Sequence, residues 1–169
     1  MANNIIDERY IYTWKIIDGK LQIKGRLTLR GFKDVEQQIE TFAGTASRAG
    51  QRLINFVVAQ NPEWVFFSYD VSQAFAKGLT FEQYARLTGN PLRKVQLELK
   101  SPEDIALFRT LPGWSDFDPK TEVISLLKPV YGLKDAPRAW RLRLHEVLRE
   151  YSLNSLLAEP EIYVGHCGL

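Results

Sequence analysis

The 169-residue sequence has one cysteine, Cys167, and two histidines. A lone cysteine excludes an internal disulfide and a cysteine-rich zinc site. His166 stands beside Cys167 with no further ligand near it, which is an incomplete metal set, and His145 sits alone on a helical stretch, as a surface or core-edge histidine does. No apolar run approaches the roughly 20 residues that cross a bilayer. No signal-peptide pattern opens the chain, because Asn3, Asn4, Asp7, Glu8 and Arg9 interrupt it. The expectation is a soluble intracellular protein without a membrane partner. Charge of one sign is also lacking: the net value of +2 says nothing about partners. There are no repeats, low-complexity tracts or linkers. What remains is an ordinary globular balance, 45% hydrophobic and 25% charged, in a length that fits one domain or most of one.

One stretch organises the rest. Trp64-Val65-Phe66-Phe67-Ser68-Tyr69 has the composition of a buried strand and runs into a single carboxylate, Asp70. An acid at a strand end is well placed to hold a metal. It is also an ordinary place for a turn aspartate or a helix N-cap, and on these residues alone that structural reading comes first. Phe75 follows five positions on, and Gly78 closes the segment.

Upstream, residues 9–30 read as a β-hairpin around Asp18-Gly19, a preferred pair for a two-residue type I′ turn. From Lys20 the chain alternates. Leu21, Ile23, Gly25, Leu27 and Leu29 share one face; Lys20, Gln22, Lys24, Arg26, Thr28 and Arg30 share the other. Four cations along one side are either a solvated face or a platform for polyphosphate or a nucleic-acid backbone.

The remaining pattern predicts a core helix over 47–60 capped by Ser47 and a short helix over 81–88 with capping-box spacing at Thr80 and Gln83. A strand is expected at about 93–100 and a helix over 102–111 opened by Ser101-Pro102-Glu103-Asp104. A strand over 122–127, an amphipathic helix over 138–151 and a short strand over 161–164 complete it. Mixed strands and helices without regular βαβ units imply an α+β fold, with helices packed on a mainly antiparallel sheet.

Three stretches stand together in order. Lys24-Gly25-Arg26-Leu27-Thr28-Leu29-Arg30-Gly31-Phe32 resembles the K-A-R-L-V-A-R-G-F signature of copia-type reverse transcriptases. Tyr69 to Gly78 is similar to their L-D-V-K-N-A-F-L-H-G. Tyr131-Gly132-Leu133-Lys134-Asp135-Ala136-Pro137-Arg138-Ala139-Trp140 is similar to Y-G-L-K-Q-A-P-R-A-W. Shorter echoes lie at Glu40-Thr41-Phe42, Pro112-Gly113-Trp114 and 159–164, so the resemblance covers roughly residues 12–164.

The resemblance implies reverse-transcriptase fingers (hairpin about 9–33) and a partial palm (about 62–164) from a long-terminal-repeat retrotransposon Pol protein, an RNA-directed DNA polymerase. It places Asp70 and the Val71 carbonyl at the catalytic metals, Mg²⁺ or Mn²⁺, and Phe75 under the incoming sugar. Lys24 and Arg26 would take the triphosphate, and Tyr131 and Gly132 would border the nucleotide. Arg30 and Arg138 would touch nucleic acid. The implied partners are deoxynucleoside triphosphates, an RNA or DNA template with its primer, and downstream Pol segments. Two-metal nucleotidyl transfer uses ions roughly 3.5–4 Å apart, more than one carboxylate holds. The family's other metal aspartates come from a Tyr-x-Asp-Asp hairpin after the stretch matched by 159–164, and this sequence has no Asp-Asp pair. The expectation is a polymerase domain truncated before that motif and inactive by itself; the alternative is a non-catalytic nucleic-acid-binding remnant of a retroelement. Departures include Gln73 for asparagine, an unusually long stretch over 81–111, and Asp135 for glutamine, which would add a negative charge near template or nucleotide.

Overall fold

The computed structural model describes residues 4–36 and 38–165; the candidate pair His166 and Cys167 lies outside them. Two long strands, β1 (Ile5–Ile17) and β2 (Lys20–Leu29), form the hairpin. Asp18 and Gly19 both take positive φ, 50° and 74°, as a type I′ turn requires. Pairing runs from Ile17↔Lys20 to Glu8↔Leu29. The short β3 (Gln96–Glu98) lies parallel to the start of β1, and β4 (Ile124–Ser125) pairs antiparallel with β3. The sheet order is β2-β1-β3-β4, so the fold is α+β with a mainly antiparallel sheet; β5 (Asn154–Ser155) and β6 (Tyr163–Val164) make a separate pair.

Four helices follow local chemistry closely. In α1 (Arg48–Ala59) the Ser47 side chain accepts from the Gly50 N–H. In α2 (Phe81–Thr88) Thr80 and Gln83 form the full capping box. Ser101 caps α3 (Pro102–Arg109), with Glu103 and Asp104 in its first turn. The last helix, α4 (Ala136–Glu150), starts two residues before the expected position, with Pro137 in its first turn.

The main core lies where β1, the end of β2, β3 and α2 meet, and includes Ile6, Leu29, Phe81, Val95, Leu97 and Leu133. A smaller cluster joins Leu79 and Tyr84 to Ala139 on α4. Even-numbered β1 residues face this core. Beyond Tyr10 that face runs into solvent, exposing Tyr12, Trp14, Ile16, Leu21 and Ile23. The Tyr10 hydroxyl donates to Asp104, tying the base of the hairpin to α3. That hydrogen bond, with burial second, pushes the phenol up to about 12.

Two expectations fail. Residues 64–69 form no strand, and Trp64, Val65, Phe66, Phe67 and Tyr69 are between 54% and 84% exposed. The run is apolar, but among the described residues no strand pairs with it, and a lone strand without a ladder partner is not stable in water. Helix α1 forms where expected but is not core: Gly50 is its buried residue, while Leu53, Ile54, Phe56 and Val57 are exposed.

Candidate functional site

The site is built around a backbone crossing. Strand β2 ends on the 128–135 loop, where the Leu29 N–H donates to the Tyr131 carbonyl at 2.8 Å. Gly31 and Gly132 meet there. A methyl on Gly31 would overlap the Gly132 carbonyl oxygen, and one on Gly132 would overlap that of Leu29. Glycine is required on both sides because backbone packs on backbone. The first and third motif stretches are therefore joined directly.

The middle stretch docks on the same loop. Residues 74–77 form a short 3-10 turn entered through Gln73, whose φ is 54°. Asparagine tolerates that region better than glutamine does, a physical reason for asparagine in the resembled motif. The turn packs on the start of α4: Leu79 N–H donates to the Ala139 carbonyl, and Gly78 lies against the Ala139 and Trp140 backbone. Lys128 Nζ donates to the Ala76 carbonyl at 3.2 Å. This brings the Phe75 ring to 4.6 Å from the Tyr131 ring, centroid to centroid. Phe75, distant in sequence from Tyr131 and Gly132, thus shares one surface with them.

Lys24 and Arg26 are exposed on the outer face of the hairpin. The register adds two cations to that face: Arg9 pairs across from Thr28, and Lys15 from Gln22. Sequence reasoning missed both. The signal was present, since a two-residue turn at 18–19 fixes every cross-strand pair. At the root of the hairpin Arg30 is 3.4 Å from Asp7, which also binds Lys33 at 2.7 Å and lies 3.8 Å from Lys100. Burial would raise the Asp7 carboxyl; Lys33 and Arg30 outweigh it and hold it below the ordinary range. Arg30 is thus partly committed to organising the strand end.

Arg138 is also engaged within the chain. It pairs with Glu40 at 2.6 Å and donates to the Phe42 carbonyl at 3.1 Å. Beside it Arg141 holds Glu161 through Nε at 2.6 Å, with His145 Nε2 3.5 Å from the same carboxylate. These contacts fasten the 40–47 loop and the 159–163 turn to α4. Burial would raise Glu161, but the hydrogen bond and charge of Arg141, then His145, hold it below its ordinary value of 4.5. A carboxyl lowered by folding stabilises fully above its unfolded value and loses that contribution as pH falls through the folded one. Acid denaturation below pH 4.5 should therefore be shallower in Glu161→Gln than in the parent. Chemical denaturation repeated from pH 6 downward reads this directly, and parallel curves would show that Glu161 contributes nothing.

Asp70 and Val71 lie on the exposed run, ahead of the docked turn. Among the described residues no group of three His, Cys, Asp or Glu side chains could hold a metal ion. Magnesium takes six oxygens in octahedral array. One carboxylate and one carbonyl do not fit a two-ion centre, so no chemical step is derived through a metal here.

Asp135 departs from its expected placement. It is fully buried and sits at the N-cap of α4, yet its side chain caps nothing. It pairs instead with Arg93, so its charge is neutralised inside the protein rather than turned toward a ligand.

This chain is similar to retrotransposon Pol polyproteins. It is 29% identical over 165 residues to the retrovirus-related Pol polyprotein from transposon RE2 of Arabidopsis thaliana. To that from transposon RE1 of the same plant it is 28% identical, again over 165 residues. Each alignment covers 95% of this chain and 10% of the polyprotein, so the chain spans about a tenth of the length of these relatives. No protein-family model matches the chain. No solved structure matches it. No helix among the described residues is long and apolar enough to cross a membrane.

Proposed function

We propose that the chain is the fingers and part of the palm of a copia-type retrotransposon reverse transcriptase, carrying the nucleotide-binding half of an RNA-directed DNA polymerase site. The observation that supports this best is the convergence of three sequence motifs on one surface: the β2 end, the Phe75 turn and the Tyr131-Gly132 loop interlock through the Leu29–Tyr131 hydrogen bond and the Phe75–Tyr131 contact. In this reading Phe75 lies under the sugar of a deoxynucleoside triphosphate, and Tyr131 and Gly132 border it. Lys24 and Arg26 neutralise its phosphates, as cations best do for developing phosphoryl charge. Arg9 and Lys15 extend the same face for a template–primer backbone, with Arg30 at its root. Arg138 supports the loop through Glu40 and Phe42. Asp70 and the Val71 carbonyl are one part of a Mg²⁺ or Mn²⁺ centre that needs further carboxylates.

The 169-residue chain with Mg²⁺ is expected to give no template-directed extension in a primer-extension assay, because the sequence contains no Asp-Asp pair. It is expected to bind a primer–template duplex in a salt-sensitive way, and Lys24→Ala with Arg26→Ala should lower both the affinity and the salt slope, the latter by about two contacts. Binding that is unchanged by the double substitution overturns the role of the hairpin face; clear extension overturns the incomplete centre.

A further inference from the structure

The segment between the second and third motifs, longer than the resembled family leads one to expect, delivers one residue into the heart of the structure. Arg93 is 9% exposed, and both terminal nitrogens of its guanidinium are hydrogen-bonded to carboxylates, while Nε lies near a third without hydrogen-bond geometry. Nη2 pairs with Asp34, Nη1 with Asp135, and Nε lies 2.8 Å from Glu36. Asp34 and Glu36 follow the β2 strand; Asp135 closes the Tyr131-Gly132 loop. Asp34 is buried as well, accepting from Asn4 Nδ2 at 3.0 Å and from the Glu36 N–H at 3.1 Å. A planar guanidinium can hold two carboxylates on opposite sides at fixed angles, which an ammonium cannot. Burial would lower the arginine's affinity for its proton, but Asp135 and Asp34 more than offset that, so the cation is permanent.

The ion cluster sits just behind the glycine crossing. On one side it fixes the turn that follows Leu29 and Gly31. On the other it fixes the residue four positions after Tyr131. We propose that Arg93 is a positioning residue: it locks the Tyr131-Gly132 loop to the end of the cationic strand, so that the two surfaces keep one relative geometry. It touches no ligand. Its use in nucleotide binding rests on the function proposed above; the lock itself does not. The same clamp explains the departure at Asp135. That carboxylate is the counter-charge of Arg93, and the two residues are a unit contributed by the long 81–111 stretch and the third motif.

Amide hydrogen exchange of the full chain without ligand tests this. Asp135→Asn leaves Arg93 with Asp34 and Glu36 and keeps the protein folded, while Arg93→Lys keeps the charge but loses the fork. Each is expected to speed exchange of the Leu29 and Leu133 amides at least about tenfold, because the loop opens locally. Amides of α3 and of the hairpin near Thr13 should keep their rates. Unchanged exchange at Leu29 and Leu133 overturns the proposal. So does a uniform rise across the chain, which a merely stabilising residue would give. A titration of the parent chain with a deoxynucleoside triphosphate, read at the Gly132 amide, tests the nucleotide reading separately: no response there counts against that reading and leaves the exchange result on the clamp intact.

Discussion

Gly132→Ala is expected to destabilise the protein by about 3 kcal/mol, more than most single substitutions do. Two costs add. The residue has φ of 99°, and holding an alanine in such a region costs about 1–3 kcal/mol. Its new methyl would also overlap the Leu29 carbonyl oxygen and lie 2.7 Å from the Leu29 nitrogen. Backbone cannot rotate away as a side chain can, so the loop must retreat and the Leu29–Tyr131 hydrogen bond breaks, losing about 1 kcal/mol more. Gly19→Ala is the control. Its φ of 74° carries similar strain, but nothing lies within 4 Å of the added methyl. It should cost about 1 kcal/mol. Urea denaturation of the two variants separates strain from contact. Equal losses would mean that the crossing of β2 and the 128–135 loop carries no weight, and the shared surface of the first and third motifs would lose its physical basis.

The contrast between those glycines shows what could be read from sequence. The hairpin turn was legible because Asp18-Gly19 encodes its own geometry. The caps at Ser47, Thr80 and Ser101 were legible because each closes a hydrogen bond within three residues. Gly132 could be read as a loop residue, but not as one half of a contact with Gly31, a hundred residues away. Arg93 was invisible for the same reason. A single arginine among Pro91, Leu92 and Lys94 has no periodicity, and its partners are 59 and 42 positions distant. At Asp135 the resemblance implied a negative charge near template or nucleotide, and here the carboxylate is buried against the distant Arg93 instead. The motif resemblance could say that Phe75 and Tyr131 belong to one site. It could not say that their rings touch.

The run 64–69 carries the second large expectation. As a core strand, which its composition suggests, Phe67→Ser would cost on the order of 3–5 kcal/mol, as for removing a buried aromatic. In this chain Phe67 is 66% exposed and Phe66 is 61% exposed. Phe66→Ser and Phe67→Ser should therefore each shift stability by no more than about 0.5 kcal/mol. The effect should appear in self-association instead. An aromatic, exposed run with no pairing strand among the described residues is an aggregation surface. The double substitution is expected to raise the concentration at which the purified chain stays monomeric, measured by sedimentation or light scattering, with the urea midpoint held. A midpoint that collapses would place the run in the core and overturn the exposed arrangement. The comparison also bears on Asp70, which follows the run directly. A carboxylate on an unpaired segment has no fixed direction in which to hold an ion; pairing the run would supply one. In any background in which a neighbouring strand pairs with residues 64–69, Phe67→Ser should become costly again by about 3 kcal/mol. The difference between the two backgrounds measures how strongly strand pairing and the placing of Asp70 are coupled.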